Sequence, residues 1–390
     1  MSHNAFDSIA MVDLKGQYQR LKPELDKAIQ QVLDETQFIK GPQIKLFENA
    51  LAQKLNAGYV VSCGNGTDAL QLAFMALNLK PGDEVILPVF TYAATAEVIA
   101  LLGLTPVWVD VEPDYFFIDT NRIQAKITSK TKAIVPVHLF GQTGNLSQLM
   151  EIAKAHKLFV VEDNAQSLGA FYQSKALGTF GEIGTTSFFP SKNLGCFGDG
   201  GALITQQEVL ASSLRMIANH GQSVQYKHDK IGLNSRLDTL QAAVLQTKLP
   251  YLDQFTLNRN KAAAWYDSEL KEHPLIRIPI RNPESTHVFH QYTICLGHLT
   301  MGNDELRAKR DLTKTLLAES GVPSMVYYPI PLHHQNAYRN VMNNMHDQFP
   351  VAERLSCSVL SLPMHTEMSE ELVKKIARRL IRAVNQAFAS

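Results

Sequence analysis

Cysteine is scarce in this sequence: four in 390 residues, Cys63, Cys196, Cys295 and Cys357. No two form a CxxC pair, so neither a zinc knuckle nor a disulfide framework is indicated. The pattern is that of reduced, mostly buried thiols in a cytosolic protein. Net charge is also missing. Thirty-seven Lys and Arg balance thirty-seven Asp and Glu, and a neutral chain lacks the basic surface that non-specific nucleic-acid binding needs. A local basic pocket for a phosphorylated ligand stays open. No apolar run reaches the roughly 18–20 residues that span a bilayer. The first residues, MSHNAFDSIAMVDLKGQY, hold acidic and polar side chains and no basic stretch followed by an apolar one, so no signal peptide is read. These absences predict a cytoplasmic protein with no nucleic-acid or membrane partner.

What is present is ample core material: 45% hydrophobic against 19% charged residues. At about 100–200 residues per domain, the length predicts two domains, or one large one with an appendage. Between residues 56 and 206, short β-rich runs (YVVSC, EVILP, PVWVD, AIVPVHL, LFVVED, GTTSFF, GALIT) alternate with helix-like stretches such as 68–77, 93–102 and 146–156. This predicts an α/β fold: a mainly parallel sheet of these seven strands, helices on both faces, right-handed crossovers. A helical lead-in over 19–35 and a helix over 43–55, opened by Gly41-Pro42, precede it. NSRLDTLQAAVLQTKL then reads as an amphipathic helix stopped by Pro250, with a long helix over 251–271 behind it. From about 272 the texture changes to Pro-containing strand fragments (LIRIPI, HQYTICL), a helix near 304–319, the loop YYPIPLHH and a last helix near 369–388. We place the boundary near Pro250, with a large domain over 1–250 and a smaller α+β domain over 251–390.

In an open parallel sheet, ligands bind beyond the carboxyl ends of the strands, and three loops there carry unusual residues. Cys63-Gly64-Asn65-Gly66-Thr67-Asp68 follows YVVSC and opens a helix. Its glycines permit close backbone approach, the helix N-terminus suits a phosphate, and Thr67 adds a hydroxyl. A plain tight turn capped by Thr67 or Asp68 is the alternative. Gly64, Gly66 and Ala69 also fit a dinucleotide fingerprint, but that pattern wants an acid at the end of the next strand, where Pro88 stands. In VEDNAQS, Asp163 ends an apolar strand, where a carboxylate is costly to bury without a cationic partner. A protonated pyridine nitrogen is such a partner, and holding it protonated makes the ring an electron sink. A structural carboxylate capping the next turn is the alternative. In SFFPSKNLG, Lys192 follows an aromatic strand end and precedes the glycine-rich run 195–201. Apolar surroundings lower a lysine's pKa toward the neutral amine, the form that attacks an aldehyde. Ser187 is placed to reach a phosphate.

At this point the residues resemble a known family. GNGTDAL, FTYAATAE, VVEDNAQSLGA, TSFFPSKNLGCFGDGGA and NSRLDTLQAA are similar, in order and over nearly the whole chain, to the sugar-nucleotide aminotransferases, fold-type-I pyridoxal 5'-phosphate (PLP) enzymes that aminate keto sugars. The resemblance implies that Lys192 is the Schiff-base lysine and Asp163 the partner of the pyridine nitrogen. It implies Gln166 near the cofactor's phenolic oxygen, Tyr92 stacked on one ring face and Ala165 on the other. Gly66, Thr67 and Ser187 resemble the phosphate cup. Asn234 resembles the residue that reaches the phosphate from the other subunit, which implies a homodimer with shared sites. Read from the residues alone, Tyr92 is equally a core aromatic and NSRLD equally a helix cap. Dehydratases of the family carry histidine at the lysine position, so lysine here favours transamination. Lys192 would then also serve as base and acid, with glutamate and 2-oxoglutarate as the donor pair.

Within the family, IANHGQ, GLNSRLDTLQAA, VYYPIPLHHQ and LSLPMH resemble the UDP-2-acetamido-2-deoxy-3-oxo-glucuronate 3-aminotransferases of lipopolysaccharide O-antigen synthesis. A uronate carboxylate needs a cation, and the Arg236 guanidinium would grip it with two bonds; an ion pair with Asp238 is the alternative. Tyr327 departs from the pattern, since many relatives carry histidine there. Tyr327, Tyr328 and His333 lie on a Pro-stiffened loop suited to a sugar pocket. The rival substrates are neutral dTDP- or UDP-keto-deoxysugars aminated at C3 or C4. Rivals of another class are a non-catalytic sensor retaining the fold and a nicotinamide dehydrogenase. No metal is expected: His287 and His290 lack an acid or cysteine to complete a set, and the adjacent His333 and His334 cannot easily point both rings at one ion.

Overall fold

All seven β-rich runs become strands of one sheet: β1 (Tyr59–Cys63), β2 (Glu84–Pro88), β3 (Thr105–Val109), β4 (Thr131–Ile134), β5 (Phe159–Asp163), β6 (Ile183–Ser187) and β7 (Gly201–Thr205). The computed structural model describes residues 9–339 and 348–389. Residues 1–8, part of the stretch read above for a signal peptide, lie outside the described residues. The sheet order is β1-β7-β6-β5-β4-β2-β3. Every pairing from β6 to β3 is parallel, and β7 runs antiparallel to both of its neighbours. The exception follows from the connection: no helix stands between β6 and β7, and a parallel return needs a crossover of a dozen or more residues, usually helical.

The two-residue period of a strand sorts the core. Val85 and Leu87, Ala133 and Val135, and Val161 enter one cluster with Leu72, Phe74 and Ile99. The intervening Ile86, Ile134 and Val160 enter another with Leu146 and Leu149. Helices therefore cover both faces, which explains why these strands read as continuous apolar runs.

Some helices start where a side-chain cap places them. Asp13 accepts from Gly16 N–H at 2.7 Å, so the lead-in begins earlier than residue 19, as Leu14–Glu35. Asn65 and Asn145 cap Gly66–Ala76 and Leu146–His156 in the same way. One expectation is corrected. NSRLD is not helical; the helix is Thr239–Lys248. Ser235 Oγ donates to Asp68 Oδ2 at 2.6 Å and accepts from Gly64 N–H at 3.0 Å. Ser235 N–H is donated to Ala218 O at 3.0 Å. These long-range bonds hold residues 234–238 out of the helix. Pro250 sits in a 3-10 turn, Leu249–Tyr251, after which Leu252–Leu270 begins at once.

Further on, Ile276–Arg277, Tyr292–Leu296 and Val359–Leu362 form an antiparallel three-stranded sheet. The third strand escapes the sequence reading because it follows the helix Pro350–Ser358 with no turn signal between. Tyr266, Tyr292, Leu360, Val373 and Ile376 fill the core under this sheet. The YYPIPLHH loop returns to the large sheet: Leu332 N–H bonds Val89 O at 3.0 Å and Tyr338 Oη bonds Ala93 O at 3.2 Å. Among the described residues no helix is long and apolar enough to cross a membrane.

Candidate active site

Asp163 is the last residue of β5, in register with Thr185 of β6 and bridged to Val137 beyond β4. It is 8% exposed. Thr95 Oγ1 donates to Oδ2 at 3.0 Å and Ala165 N–H to Oδ1 at 3.1 Å. Each oxygen has one donor and capacity for a second. The preceding Glu162 points to the other face and is fully buried. Its carboxylate meets His138 Nε2 at 2.9 Å and the N–H groups of Gly178, Phe180 and Gly181 at 2.8, 2.6 and 2.9 Å. Burial opposes that charge, but His138 and the N–H groups outweigh it and hold the carboxyl below its usual range. Of two adjacent acids, one is saturated from within and the other keeps an edge for a ligand.

Lys192 lies on the turn after β6. The turn is closed by Lys192 N–H to Phe189 O and Cys196 N–H to Phe188 O, both 2.8 Å. Gly195 is required, because a Cβ there would fall 2.3 Å from the Pro190 carbonyl oxygen. Asn193 Nδ2 bonds Val288 O at 3.1 Å, and the buried Lys248 Nζ bonds Gly195 O at 2.8 Å. Burial lowers the Lys192 ammonium to about 8, with the Asp163 charge opposing. The amine is thus poised near neutrality while still within reach of the carboxylate's field.

The glycine loop closes on the same place. Gly66 opens the helix Gly66–Ala76, and a Cβ on it would sit 2.8 Å from Ser187 Cβ. Asn65 Oδ1 takes the Asp68 N–H at 2.8 Å, while the earlier first-turn N–H groups, including that of Thr67, have no partner within the helix. The result is a cradle between Ser187 and a helix N-terminus, sized for close approach of a phosphate. Tyr92 stands on the turn after β2 and is 61% exposed, an open aromatic and not a core one. Its ring centroid is 6.2 Å from that of Tyr328, and Tyr327 is 5.9 Å from Tyr328. Gln166 Nε2 donates to Tyr328 Oη at 3.2 Å while its Oε1 accepts from Phe140 N–H at 2.8 Å. Burial pushes the Tyr328 phenol up, so it stays protonated.

Other expected residues lie elsewhere. Asn234 is exposed and bridges Asn219. Arg236 makes no ion pair with Asp238; it lines a cavity of about 490 Å³. His333 turns to Glu353, with Nε2 3.2 Å from Oε1, and packs on Phe349. His334 Nε2 is 3.8 Å from the same oxygen. The sequence-based reason for excluding a metal there therefore does not hold, since both rings do address one point. His287 and His290 are buried, and burial lowers both well into the neutral form. Sequence reasoning missed Thr95 and Lys248. Thr95 lies inside FTYAATAE, but its bond to Asp163 spans 68 positions. Lys248 looks like an ordinary helix lysine until its burial is known.

A carboxylate awaiting a cation, a lysine near neutrality, an open aromatic ring and a phosphate cradle fit PLP. On this sheet they define a fold-type-I PLP enzyme. Residues 19–381 match the DegT/DnrJ/EryC1/StrS aminotransferase family, and the chain belongs to it. The UDP-2-acetamido-2-deoxy-3-oxo-D-glucuronate aminotransferase of Pseudomonas aeruginosa is 43% identical over 95% of this chain and 99% of its own. The UDP-N-acetyl-3-dehydro-alpha-D-glucosamine 3-aminotransferase of Acidithiobacillus ferrooxidans is 42% identical over 97% of this chain and 98% of its own. The solved structure of NtdA from Bacillus subtilis with bound cofactor PMP superposes with a TM-score of 0.86 at 30% identity, covering 100% of this chain and 87% of that one. The protein is a PLP-dependent sugar aminotransferase.

Proposed function

We propose that the enzyme moves the amino group of glutamate to C3 of UDP-2-acetamido-2-deoxy-3-oxo-glucuronate, in the cytoplasm, for lipopolysaccharide O-antigen synthesis. The bound cofactor supplies an electron sink for the negative charge that develops beside the transferred nitrogen. The chain does the rest. Asp163, clamped by Thr95 and Ala165 N–H, would keep the ring nitrogen protonated. Lys192, whose amine burial brings near neutrality, would hold the cofactor and would serve as base and then acid at the carbon that loses or gains the amino group in each half-reaction. Gly66, Thr67 and Ser187 would hold its phosphate, Tyr92 and Ala165 would pack on its ring, and Gln166 would bond its phenolic oxygen. Tyr327, Tyr328 and His333 border the sugar.

Asn234 completes the phosphate site of a second subunit in a homodimer. Its exposed position, and the exposed apolar side chains of Phe38, Ile39, Tyr226 and Ile231, support that reading. The division near Pro250 belongs to the same proposal, supported by a core whose buried residues all lie between 262 and 384, with Ile9 packed against it from the N-terminal segment.

The observation that carries the choice of sugar is the 43% identity, over nearly the whole of both chains, to a uronate aminotransferase; Arg236, without an ion pair among the described residues, is the candidate cation for the carboxylate. A second reading, a neutral 3-keto sugar such as UDP-N-acetyl-3-dehydroglucosamine, draws on the 42% relative and on Tyr327. Purified enzyme given glutamate and each keto-sugar nucleotide separates them through 2-oxoglutarate release. A charge-assisted bond contributes roughly 1.5–3 kcal/mol, so kcat/KM should favour the uronate by about 10- to 150-fold. Equal rates, or a preference for the neutral sugar, would reject the uronate.

A further inference from the structure

Lys40 belongs to none of the motifs above. It stands in the turn between the helices Leu14–Glu35 and Pro42–Leu55, with φ at 57°. That is the left-handed region, where a residue with a Cβ is strained and which persists only where neighbours impose it. Two bonds impose it. Thr239 N–H donates to Phe38 O at 2.9 Å, and Gly41 N–H donates to Thr239 Oγ1 at 3.0 Å. Thr239 follows Arg236 closely in the chain, so pinning the turn to Thr239 brings Lys40 to Arg236. The two side chains share the walls of two adjoining cavities of about 490 and 300 Å³.

Nothing in those cavities neutralises them. The larger contains no acid; Asn219, Gln222 and Ser223 supply neutral polar groups. The one acid of the smaller, Glu48, is occupied by Ser62 N–H and Oγ, both at 2.9 Å, and by Arg215 at 3.6 Å. Among the described residues neither Lys40 nor Arg236 has an ion pair or a side-chain hydrogen bond. Two cations held together without a counter-charge repel, whereas an oxyanion between them is attracted by both. Lysine offers a compact charge and arginine a planar fork, the combination suited to a phosphate or carboxylate.

We infer that Lys40 and Arg236 form a two-cation subsite gripping an oxyanion of the sugar nucleotide, which makes Lys40 a substrate-binding residue of this enzyme. The inference rests on the sugar-nucleotide reading above. The substrate carries two groups of this chemistry, the nucleotide diphosphate and the uronate carboxylate, and one experiment distinguishes them. PLP-loaded wild type, Lys40→Ala and Lys40→Arg are titrated calorimetrically with UDP and UMP, and their kcat/KM is measured on the uronate and neutral keto sugars. If the diphosphate is held, Lys40→Ala weakens UDP about tenfold, ~1.4 kcal/mol, weakens UMP less, and flattens the salt dependence, while Lys40→Arg restores affinity. If the carboxylate is held, UDP affinity stays and the uronate preference falls about tenfold instead. Lys40 is exposed, so Lys40→Ala should fold normally, which its melting curve checks. Unchanged UDP affinity together with unchanged sugar preference, in an enzyme that still aminates a keto-sugar nucleotide, overturns the inference. A wild type that aminates no such sugar defeats the functional reading instead, and the UDP titration still reports on Lys40.

Discussion

Replacing Thr95 with valine removes one hydroxyl and keeps the shape of a side chain that is fully buried. That hydroxyl is one of two donors to the Asp163 carboxylate among the described residues, 3.0 Å from Oδ2; Ala165 N–H at 3.1 Å from Oδ1 is the other. With only the second left, the carboxylate can turn about its terminal bond, and the oxygen meant for the ring nitrogen loses its fixed direction. A hydrogen bond to a charged group contributes roughly 1.5–3 kcal/mol, which translates into a rate loss of about 10- to 150-fold. The assay is the glutamate half-reaction, followed as the loss of the cofactor's absorbance band, with PLP affinity measured in parallel. Thr95→Ser keeps the donor and should stay near wild type. Both variants should melt somewhat lower, valine through the lost hydrogen bond and serine through the lost methyl, so the serine variant separates the loss of stability from the loss of the donor. A Thr95→Val enzyme within about twofold of wild type would mean that Asp163 is oriented by something else, and the reasoning from its two donors would fail.

Three further residues, Lys192, Gly66 and Glu162, carry testable outcomes. Burial holds Lys192 at about 8 against an ordinary 10.5. Between those values the unfolded chain carries a proton that the folded apoenzyme lacks, so apoenzyme stability should rise with pH across that window. PLP rebinding, which needs the neutral amine, should accelerate about tenfold per pH unit up to 8 and then level off; a stopped-flow profile flat across pH 8 would contradict this. Gly66→Ala puts a methyl 2.8 Å from Ser187 Cβ; overpacking of roughly 1–3 kcal/mol should weaken PLP binding in equilibrium dialysis by about 5- to 150-fold. Glu162→Gln breaks a fully buried pair with His138 and should cost about 3–5 kcal/mol in denaturant titration. The lowered carboxyl of Glu162 contributes stability above its ordinary 4.5 that is lost as pH falls through the folded-state value, so Glu162→Gln should also flatten the acid limb.

The strands were legible because each is a short apolar run between turn residues, and the chemistry because Gly66, Asp163 and Lys192 stand at the ends of such runs. What stayed hidden was contact between distant stretches. Thr95 is an unremarked hydroxyl until β5 is seen to end beside it. Ser235 reads as part of a helix until its bonds to Gly64 and Asp68 pull the chain straight. His333 reads as a pocket residue on a stiff loop, and only the packing of Pro350–Ser358 shows Glu353 within its reach. The sheet order was hidden for the same reason: periodicity assigns a residue to a face of its strand but not a strand to its neighbour.

The pair Glu162-Asp163 shows how register turns into chemistry. Two acids in succession on a strand must point to opposite faces, and composition alone does not say which one meets the ligand. A slip of one residue would exchange them. The slip is opposed on the buried face, where four donors close on Glu162 and would be stranded by any other register. His138, one of those donors, also gives its backbone N–H to Asp163 O at 3.1 Å. The same residue therefore locks the structural acid through its ring and the functional acid through its main chain. The exposed edge of Asp163 is held in place by a network on the far side of the sheet, one that never touches the cofactor.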